Sequence, residues 1–552
     1  MLVFVSPGGA GEGARRYTGA VPLGRPIYLN GMMGTGKSVL GQLVAENARV
    51  PFIDLDHEVE QRAGMSVARM FRERGEVAFR SLERDALTAQ LADTTPRVIA
   101  LGGGSLVGRS VRLTALERGI VITLTASPAE LVRRLEGEQD RPLLGADDGT
   151  TQPRLLSILE ARVAGYSEAH AVIDTTSRGL SELASEVLAI AELEPIVVPL
   201  GERTYGVDIV PGAAEVHLQS SLDRLAPSRI VLVTDEIVDP IIASQLAARL
   251  NRHGDPIKVV LPPGERHKTL ASVERILREA IEAPVDRQAV VIGVGGGVVT
   301  DIAGLAAALA LRGLRWIAVP TTVLSMVDAS VGGKTAVDLG AAKNAVGAFH
   351  QPSRVIVDPS FSRSESVRAL RSGLAEVVKT ALIGDPVFYR QLTAPTTAER
   401  LVTDRDPIAT AQAIRSSIAV KAGIVGRDER EAGERAHLNL GHTVGHALEA
   451  EGGFERLTHG EAVSLGLVAA LRIGVALSVT DRDLAAEVEQ LLTRLGLPTD
   501  LDAEPLSQAM RWVAYDKKRQ GGNLRMVLVR APGAVEIARV AAADLPKLLA
   551  KR

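Results

Sequence analysis

The apolar positions of the chain change period as it proceeds. Pro26–Asn30 (PIYLN) is a short apolar run that predicts a buried strand, followed by a glycine-rich turn and a helical pattern through Val44. PFIDLD at Pro51–Asp56 predicts a second strand, Gly75, Glu76, Phe79, Arg80 and Glu83 fall at helical spacing, and RVIAL ahead of Gly102 predicts a third strand. A helical pattern over Leu183–Leu193 then gives way to the strands PIVVPL and TYGVDIV. RIVLVTDEI, KVVL and AVVIGV follow as further strand runs between helical stretches. Strands alternating with helices predict parallel sheets covered on both faces. Towards the C-terminus the helical period dominates, and SLGLVAALRIGVALSV, interrupted by Arg472 and two glycines, predicts a buried helix and not a membrane span.

A length of 552 residues exceeds one hydrophobic core. The pattern predicts a flexible extension over 1–25, an α/β domain over 26–192, a second α/β domain over 196–363 and a mainly α-helical domain over 364–552. Net charge is −3 with dispersed basic residues, which gives nucleic-acid binding no support. There is no cysteine, so disulfides and thiolate metal sites are excluded and a metal must take nitrogen and oxygen ligands. A cytoplasmic setting fits. The N-terminal residues carry no basic segment ahead of an apolar core and do not read as a secretory signal.

Two stretches carry candidate chemistry. Gly31, Gly34, Thr35, Gly36, Lys37 and Ser38 lie in a G-x4-G-K-S series between strand and helix. Such a loop turns backbone N–H groups onto phosphates, reaches the β/γ-phosphates with Lys37 and ligates Mg²⁺ through Ser38. Asp54 and Asp56, read as lying on one side of a strand end, could serve the Mg²⁺ shell and an acceptor hydroxyl. The second stretch, Arg435–Glu461, holds four of the ten histidines. His442 and His446 share a helix face and His459 opens the next helix, which suits a divalent cation. Thr443 follows the first of these, so the H-E-x-x-H of a zinc peptidase is absent. Further along the α/β region, Gly295, Gly296 and Gly297 form a turn that lets backbone approach a pyrophosphate. Asp235 and Glu265 could take ribose hydroxyls, favouring NAD over NADP.

GMMGTGKS, FIDLD, GEVAFRSLE, GGG, RPLL from Arg141, and Arg162 four residues before Tyr166 together resemble shikimate kinase. The resemblance implies ATP with magnesium, shikimate held by Asp56, Arg80, Gly102, Gly103, Gly104 and Arg162, catalysis by Asp56, Lys37 and Arg141, and a lid carrying Arg141. Val163, Ala164 and Gly165 stand where that family has a proline.

LRG at Leu311, PTT at Pro320, VDASVGGKT, KNAVGAFHQP, SGLAEVVK, RAHLNLGHTVGHALE, THGEA and DKK at Asp516 together resemble 3-dehydroquinate synthase. That resemblance implies zinc or cobalt on Glu376, His442 and His459, with His446 in proton transfer and Lys334 and Lys379 also catalytic. It implies NAD on Asp235, Glu265, Lys268, Gly295, Gly296, Gly297, Asp301, Thr321, Thr322, Asp328 and Lys343. DAHP is expected on Lys334, Asn344, Lys379, Lys421, Arg435, Asn439 and Lys517, with Arg312 from a neighbouring subunit of a homodimer. Ile237, Thr300 and Asp338 depart from the family pattern. The expectation is a bifunctional enzyme of aromatic precursor synthesis. Its alternatives are another sugar-phosphate cyclase or a metal-dependent polyol dehydrogenase in the C-terminal half, or a non-catalytic nucleotide-binding half.

Overall fold

Strand β1 (Ile27–Gly31) is buried along its whole length, as a strand covered on both faces must be. The computed structural model describes residues 23–136, 151–340, 342–513, 519–520 and 523–550, and it divides into two compact units between Glu194 and Pro195. In the first, β1 is followed by α1 (Lys37–Ala48), β2 (Phe52–Asp54), α2 (Leu55–Ala63), α3 (Val67–Ala92), β3 (Val98–Ala100) and α4 (Arg109–Arg118). Then come β4 (Ile120–Thr125), α5 (Pro128–Leu135), α6 (Thr151–Ser167), β5 (Ala171–Asp174) and α7 (Leu180–Leu193). The strands run parallel in the order β2-β3-β1-β4-β5. Leu40, Val44 and Val187 cover one side of the sheet, and Leu55, Met70 and Leu87 belong to a separate apolar cluster. Because β1 and β3 are adjacent and parallel, the glycine-rich turns after each emerge at one carboxyl edge, where open α/β sheets bind ligands.

Two expectations need correction here. Asp54 and Asp56 do not share a strand end. Asp54 is the N-cap of α2, its Oδ1 accepting from the N–H groups of Asp56 and His57, so Asp56 sits in the first helical turn. Gly75 is not part of a continuous helix with Arg80, since its φ of 77° and ψ of 170° break α3. The α6 segment, by contrast, runs unbroken through Val163, Ala164 and Gly165.

The second unit begins with β6 (Ile196–Val198), β7 (Tyr205–Ile209), α8 (Ala214–Leu225), β8 (Ile230–Asp235), α9 (Ser244–Arg249), β9 (Ile257–Leu261) and α10 (Leu270–Glu282). It continues with β10 (Val290–Gly295), α11 (Gly297–Leu309), β11 (Arg315–Pro320), the hairpin β12 (Lys334–Leu339) and β13 (Ala342–Phe349), and β14 (Arg354–Val357). Its main sheet has the order β6-β7-β14-β11-β10-β8-β9, parallel except for β6. Helix α11 packs directly on β10. A Cβ on Gly295 would stand 2.6 Å from that of Val299, so the strand–helix approach requires glycine there.

Helices follow: α12 (Val367–Gly384), α13 (Pro386–Thr393), α14 (Pro395–Val402), α15 (Pro407–Arg427), α16 (His442–Glu451) and α17 (His459–Ala476). Helix α17 is long and apolar enough to cross a membrane, yet 72% of it is buried inside the fold, as a core helix is. This region also holds a three-stranded antiparallel sheet, Arg519–Gln520, Asn523–Ala531 and Ala534–Ala541, which the helical expectation omitted. One apolar core runs from Val198 to Leu549 through sheet and helices alike.

Candidate active sites

In the first unit the turn after β1 has φ of 134° at Gly31, 78° at Gly34 and 88° at Gly36, a left-handed path that glycine follows without a Cβ clash. Lys37 Nζ lies 2.9 Å from the carbonyl oxygens of Gly31 and Met32, which hold its charge over the loop. Ser38 Oγ donates to Asp54 Oδ2 at 2.6 Å, so the capping aspartate also faces the hydroxyl expected to meet magnesium. Thr35 is buried and donates to the Met32 carbonyl.

The turn after β3 brings the other expected groups together. A Cβ on Gly102 would stand 2.4 Å from Glu83 Oε1 and 2.9 Å from Asp56 Oδ1, one on Gly103 3.3 Å from Arg162 Nη1, and one on Gly104 2.7 Å from Arg80 Nη1. Glycine backbone thus lines a niche walled by two arginines and Asp56. Glu83, 3% exposed, orients this wall by accepting from Arg80 at 2.7 Å and from Ser105 at 2.7 Å. Arg162 and Tyr166 both donate to the Gly103 carbonyl, at 2.8 and 2.7 Å. Two guanidinium groups beside a carboxylate suit a small hydroxylated acid. Arg141 lies outside the described residues.

In the second unit Glu376 on α12, fully buried, meets the first residues of α16 and α17. Its Oε1 is 3.7 Å from His442 Nε2 and 3.3 Å from His459 Nε2, while its Oε2 pairs with Lys379. The His459 separation equals the edge of a tetrahedron with bonds of about 2.0–2.1 Å, and the His442 separation is slightly wider. Both imidazoles turn Nε2 inward. His442 Nδ1 lies 3.1 Å from the Leu440 carbonyl and His459 Nδ1 lies 3.5 Å from Glu449, the outer contacts that fix tautomer and ring angle in metal sites. Burial pulls the His459 imidazole down, but Glu376 and Glu449 outweigh it and push its pKa up to about 10. Such a surplus of negative charge is what a dication neutralises, displacing that proton. The donor set therefore fits a divalent metal. His446, its ring centroid 5.0 Å from that of His442, belongs to a second triad with Glu449 and His459.

A cavity of about 820 Å³ opens beside these groups, lined by Lys343, Asn344, Glu431, Asn439, His446, Glu449 and His459 among others. Lys334 pairs with Glu431, which also accepts from Asn439 at 2.5 Å. Arg435 is buried and donates to the Gly332 carbonyl at 3.0 Å. Lys421 donates to the Asp328 carbonyl at 2.6 Å and pairs with its carboxylate. Burial pushes the Asp328 carboxyl up, but Lys421 and Lys379 outweigh it and hold it well below the usual range. Asp328, expected among cofactor contacts, thus faces the cationic groups expected to bind substrate. Arg312 is exposed on a left-handed turn with φ of 68° and does not line the cavity. Lys517 lies outside the described residues.

Around the glycine turn of β10, Thr321 N–H donates to the Gly295 carbonyl at 3.0 Å and a Cβ on Gly296 would meet Thr322 at 3.6 Å. Thr321 Oγ1 is buried and has no hydrogen bond among the described residues. An orphan hydroxyl beside a glycine turn at a helix N-terminus fits a phosphate-bearing cofactor. Lys268, buried, bridges Asp301 at 2.6 Å and Asn344 at 2.6 Å, and burial pushes the Asp301 carboxyl up to about 6 against the pull of Lys268. Asp235 Oδ1 caps the N–H groups of Ile237 and Val238. Asp338 accepts from the Asn344 N–H at 2.7 Å, holding that residue at φ 50°, and Thr300 is buried with its hydroxyl on the Gly297 carbonyl.

Sequence reasoning missed Glu431 and Glu449. Glu431 sits at φ 60° in the charged run before Arg435, where spacing gives no sign of the Lys334 it pairs with. Glu449 follows His442 by seven positions and His446 by three, a helical spacing that was there to be read.

The comparisons with known proteins agree with this division of chemistry. The shikimate kinase family model matches residues 33–192, and the models for the 3-dehydroquinate synthase N-terminal and C-terminal regions match 258–372 and 373–519. A 3-dehydroquinate synthase of Halorhodospira halophila is 44% identical over 336 residues, covering 61% of this chain and 93% of that one. One from Xanthomonas campestris is 42% identical over 350 residues, covering 61% and 92%. Among solved structures, ValA, a 2-epi-5-epi-valiolone synthase from Streptomyces hygroscopicus with NAD⁺ and Zn²⁺ bound, has a TM-score of 0.56 at 27% identity, covering 62% of this chain and 95% of that one. The chain belongs to the 3-dehydroquinate synthase family through its larger unit and carries a shikimate kinase domain in its smaller one.

Proposed function

We propose that the residues gathered at the two sites carry two activities of one pathway: phosphorylation of shikimate by ATP in the smaller unit, and conversion of DAHP to 3-dehydroquinate and phosphate in the larger. The observation that carries the reading is the convergence of Glu376, His442 and His459 beside a cavity walled by cationic and amide side chains.

In the kinase, Lys37 and the N–H groups of the glycine turn bind the β/γ-phosphates, and Ser38 and Asp54 are the residues that would hold magnesium, which would supply charge neutralisation there. Arg80 and Arg162 hold the shikimate carboxylate and hydroxyls against Gly102–Gly104. Asp56 takes the proton of the 3-hydroxyl as it attacks, and Arg141, outside the described residues, is the further cation expected for the nucleotide.

In the synthase, Glu376, His442 and His459 hold zinc or cobalt, while Asp235, Glu265, Lys268, Asp301, Thr321, Thr322 and the Gly295–Gly297 turn hold NAD⁺. When bound, NAD⁺ takes up and returns a hydride, and the ion polarises the oxygens of the ring alcohol. Lys334, Lys379, Lys421, Arg435, Asn439 and Lys517 bind the phosphate, carboxylate and hydroxyl groups of DAHP. Asn344, on the cavity wall, joins them. His446, on that wall within reach of the ligand triad, moves protons to and from the substrate. Arg312 of the partner subunit completes the site in a homodimer. A cytoplasmic setting fits the cysteine-free chain.

The test is a pair of steady-state assays on one preparation, shikimate with ATP and DAHP with NAD⁺ and Zn²⁺. Lys37→Ala abolishes the first and spares the second. A folded wild-type chain that fails one assay reduces that unit to a binding module, and loss of both in Lys37→Ala shows that the activities are coupled.

A further inference from the structure

Glu449 has no part in the reading above, yet it is 2% exposed and faces an imidazole and an ammonium group of different purpose. Its Oε2 lies 3.5 Å from His459 Nδ1, on the ring edge opposite the nitrogen that faces Glu376. Its Oε1 lies 3.2 Å from Lys343 Nζ. Lys343 in turn stands 3.5 Å from Glu265 and 5.0 Å from the centroid of the Phe454 ring, so hairpin β12–β13, the Glu265 loop and helix α16 meet at one ammonium group. Glu449 Oε2 makes no hydrogen bond of normal geometry among the described residues, its contact with His459 Nδ1 being an ion pair at 3.5 Å.

We propose that Glu449 is a positioning residue that braces His459 and Lys343 together, so that zinc and NAD⁺ bind with positive coupling through it. This rests on the proposed assignment of His459 to the metal and of Glu265, the partner of Lys343, to the cofactor. With Lys343 on Glu449, the carboxylate is shared. An anionic cofactor that draws Lys343 away leaves the full charge on the Nδ1–H of His459, which fixes the tautomer and strengthens Nε2 as a donor. By reciprocity, zinc on His459 then favours the cofactor by the same factor. Charge shared along Glu265, Lys343, Glu449 and His459 thereby links two sites on different elements without movement of the backbone.

The experiment uses the full chain freed of metal, with zinc affinity read by chelator competition and NAD⁺ affinity by calorimetry. In the wild type, saturating NAD⁺ tightens zinc about fivefold or more. Glu449→Gln weakens zinc about 10- to 100-fold and removes the response to NAD⁺, and it shifts the visible spectrum of the cobalt-loaded protein, which a purely structural defect elsewhere would leave unmoved. Lys343→Met, which leaves Glu449 in place, binds zinc several-fold more tightly than wild type without NAD⁺. Zinc affinity of Glu449→Gln within twofold of wild type, or of Lys343→Met unchanged or weaker, overturns the proposal. If Glu449→Gln does not fold by circular dichroism, the Lys343→Met arm decides alone. A wild type that binds neither zinc nor NAD⁺ sinks instead the metal and cofactor assignment.

Discussion

The two sites are built in opposite ways. The kinase site is mostly backbone: two glycine turns at one edge of a parallel sheet, with Lys37 held by carbonyl oxygens and Arg162 by the Gly103 carbonyl. The synthase site is mostly charge: Glu376 against Lys379, Asp328 against Lys421, Lys334 against Glu431, and Lys343 between Glu265 and Glu449. Backbone cradles respond to added atoms according to what each would meet but depend little on the exact charge balance. Buried charge networks behave the other way, because each ion removed leaves its partner uncompensated in a low dielectric. The two should therefore fail differently.

The largest effect is expected where a charged group is also a ligand. His442→Ala is expected to leave the chain metal-poor and without DAHP-dependent phosphate release, partly restored by excess Zn²⁺, while shikimate phosphorylation is unchanged. His446→Ala is expected to stay metal-replete and to slow the synthase by about 10² to 10⁴. Metal content measured beside phosphate release separates the two. If His446→Ala is empty and His442→Ala full, the ion belongs to the triad of His446, Glu449 and His459.

Next comes the carboxylate expected to take the acceptor's proton in the kinase niche. Asp56→Asn keeps the shape beside Gly102 but removes the proton acceptor, so turnover on shikimate should fall at least about 10²-fold with ATP affinity largely intact. Near-normal turnover would take Asp56 out of the mechanism.

These contrasts explain what could be read in the sequence. Gly31–Ser38 is contiguous, and its spacing alone predicts strand, loop and helix, as found. The metal triad spans α12 to α17, so spacing pointed to His442, His446 and His459 but could not supply Glu376, which came from resemblance. The alternation of FIDLD reads as a strand to its end, whereas the Asp54 side chain caps a helix locally, accepting from the N–H groups two and three residues on, and so places Asp56 in α2. Spacing, which does not reveal φ, places Gly75 on the helix, whereas its φ of 77° breaks α3. Glu449 and Glu431 escaped because a glutamate on a helix or loop is ordinarily a solvated one, and only the fold shows that Glu449 faces Lys343 and His459 and that Glu431 faces Lys334.

A milder perturbation of the cradle should touch affinity before rate. Gly104→Ala places a methyl 2.7 Å from Arg80 Nη1, the far end of a flexible side chain that can give way. The arginine is displaced from the niche, not lost, so KM for shikimate should rise about tenfold, an amount equal to ~1.4 kcal/mol, while kcat changes little. An equal fall in kcat would mean that Arg80 acts in the transition state as well. The same substitution should leave the KM for ATP unaltered, because Lys37 and the turn after β1 are untouched.

The smallest effect concerns a carboxyl that belongs to neither site and shows what the charge-built unit tolerates. Glu365 accepts from the Val323 N–H at 3.1 Å through Oε1, while its buried Oε2 has no hydrogen bond among the described residues. Burial pushes its pKa up to about 7, against the backbone bond from Val323 and the charge of Arg405, which pull it down. Because the folded value lies above the unfolded one, Glu365 contributes stability that is fully present below about pH 4.5 and is lost as pH rises through 7. Glu365→Gln keeps the acceptor for Val323 and cannot ionise. Its melting temperature should therefore match wild type near pH 5 and exceed it by on the order of 1–3 °C at pH 8, measured by calorimetry of the full chain at both values. An advantage at pH 5 that vanishes at pH 8 would reverse the sign, and would mean that the ionised carboxylate is paired in the folded protein and stabilises it.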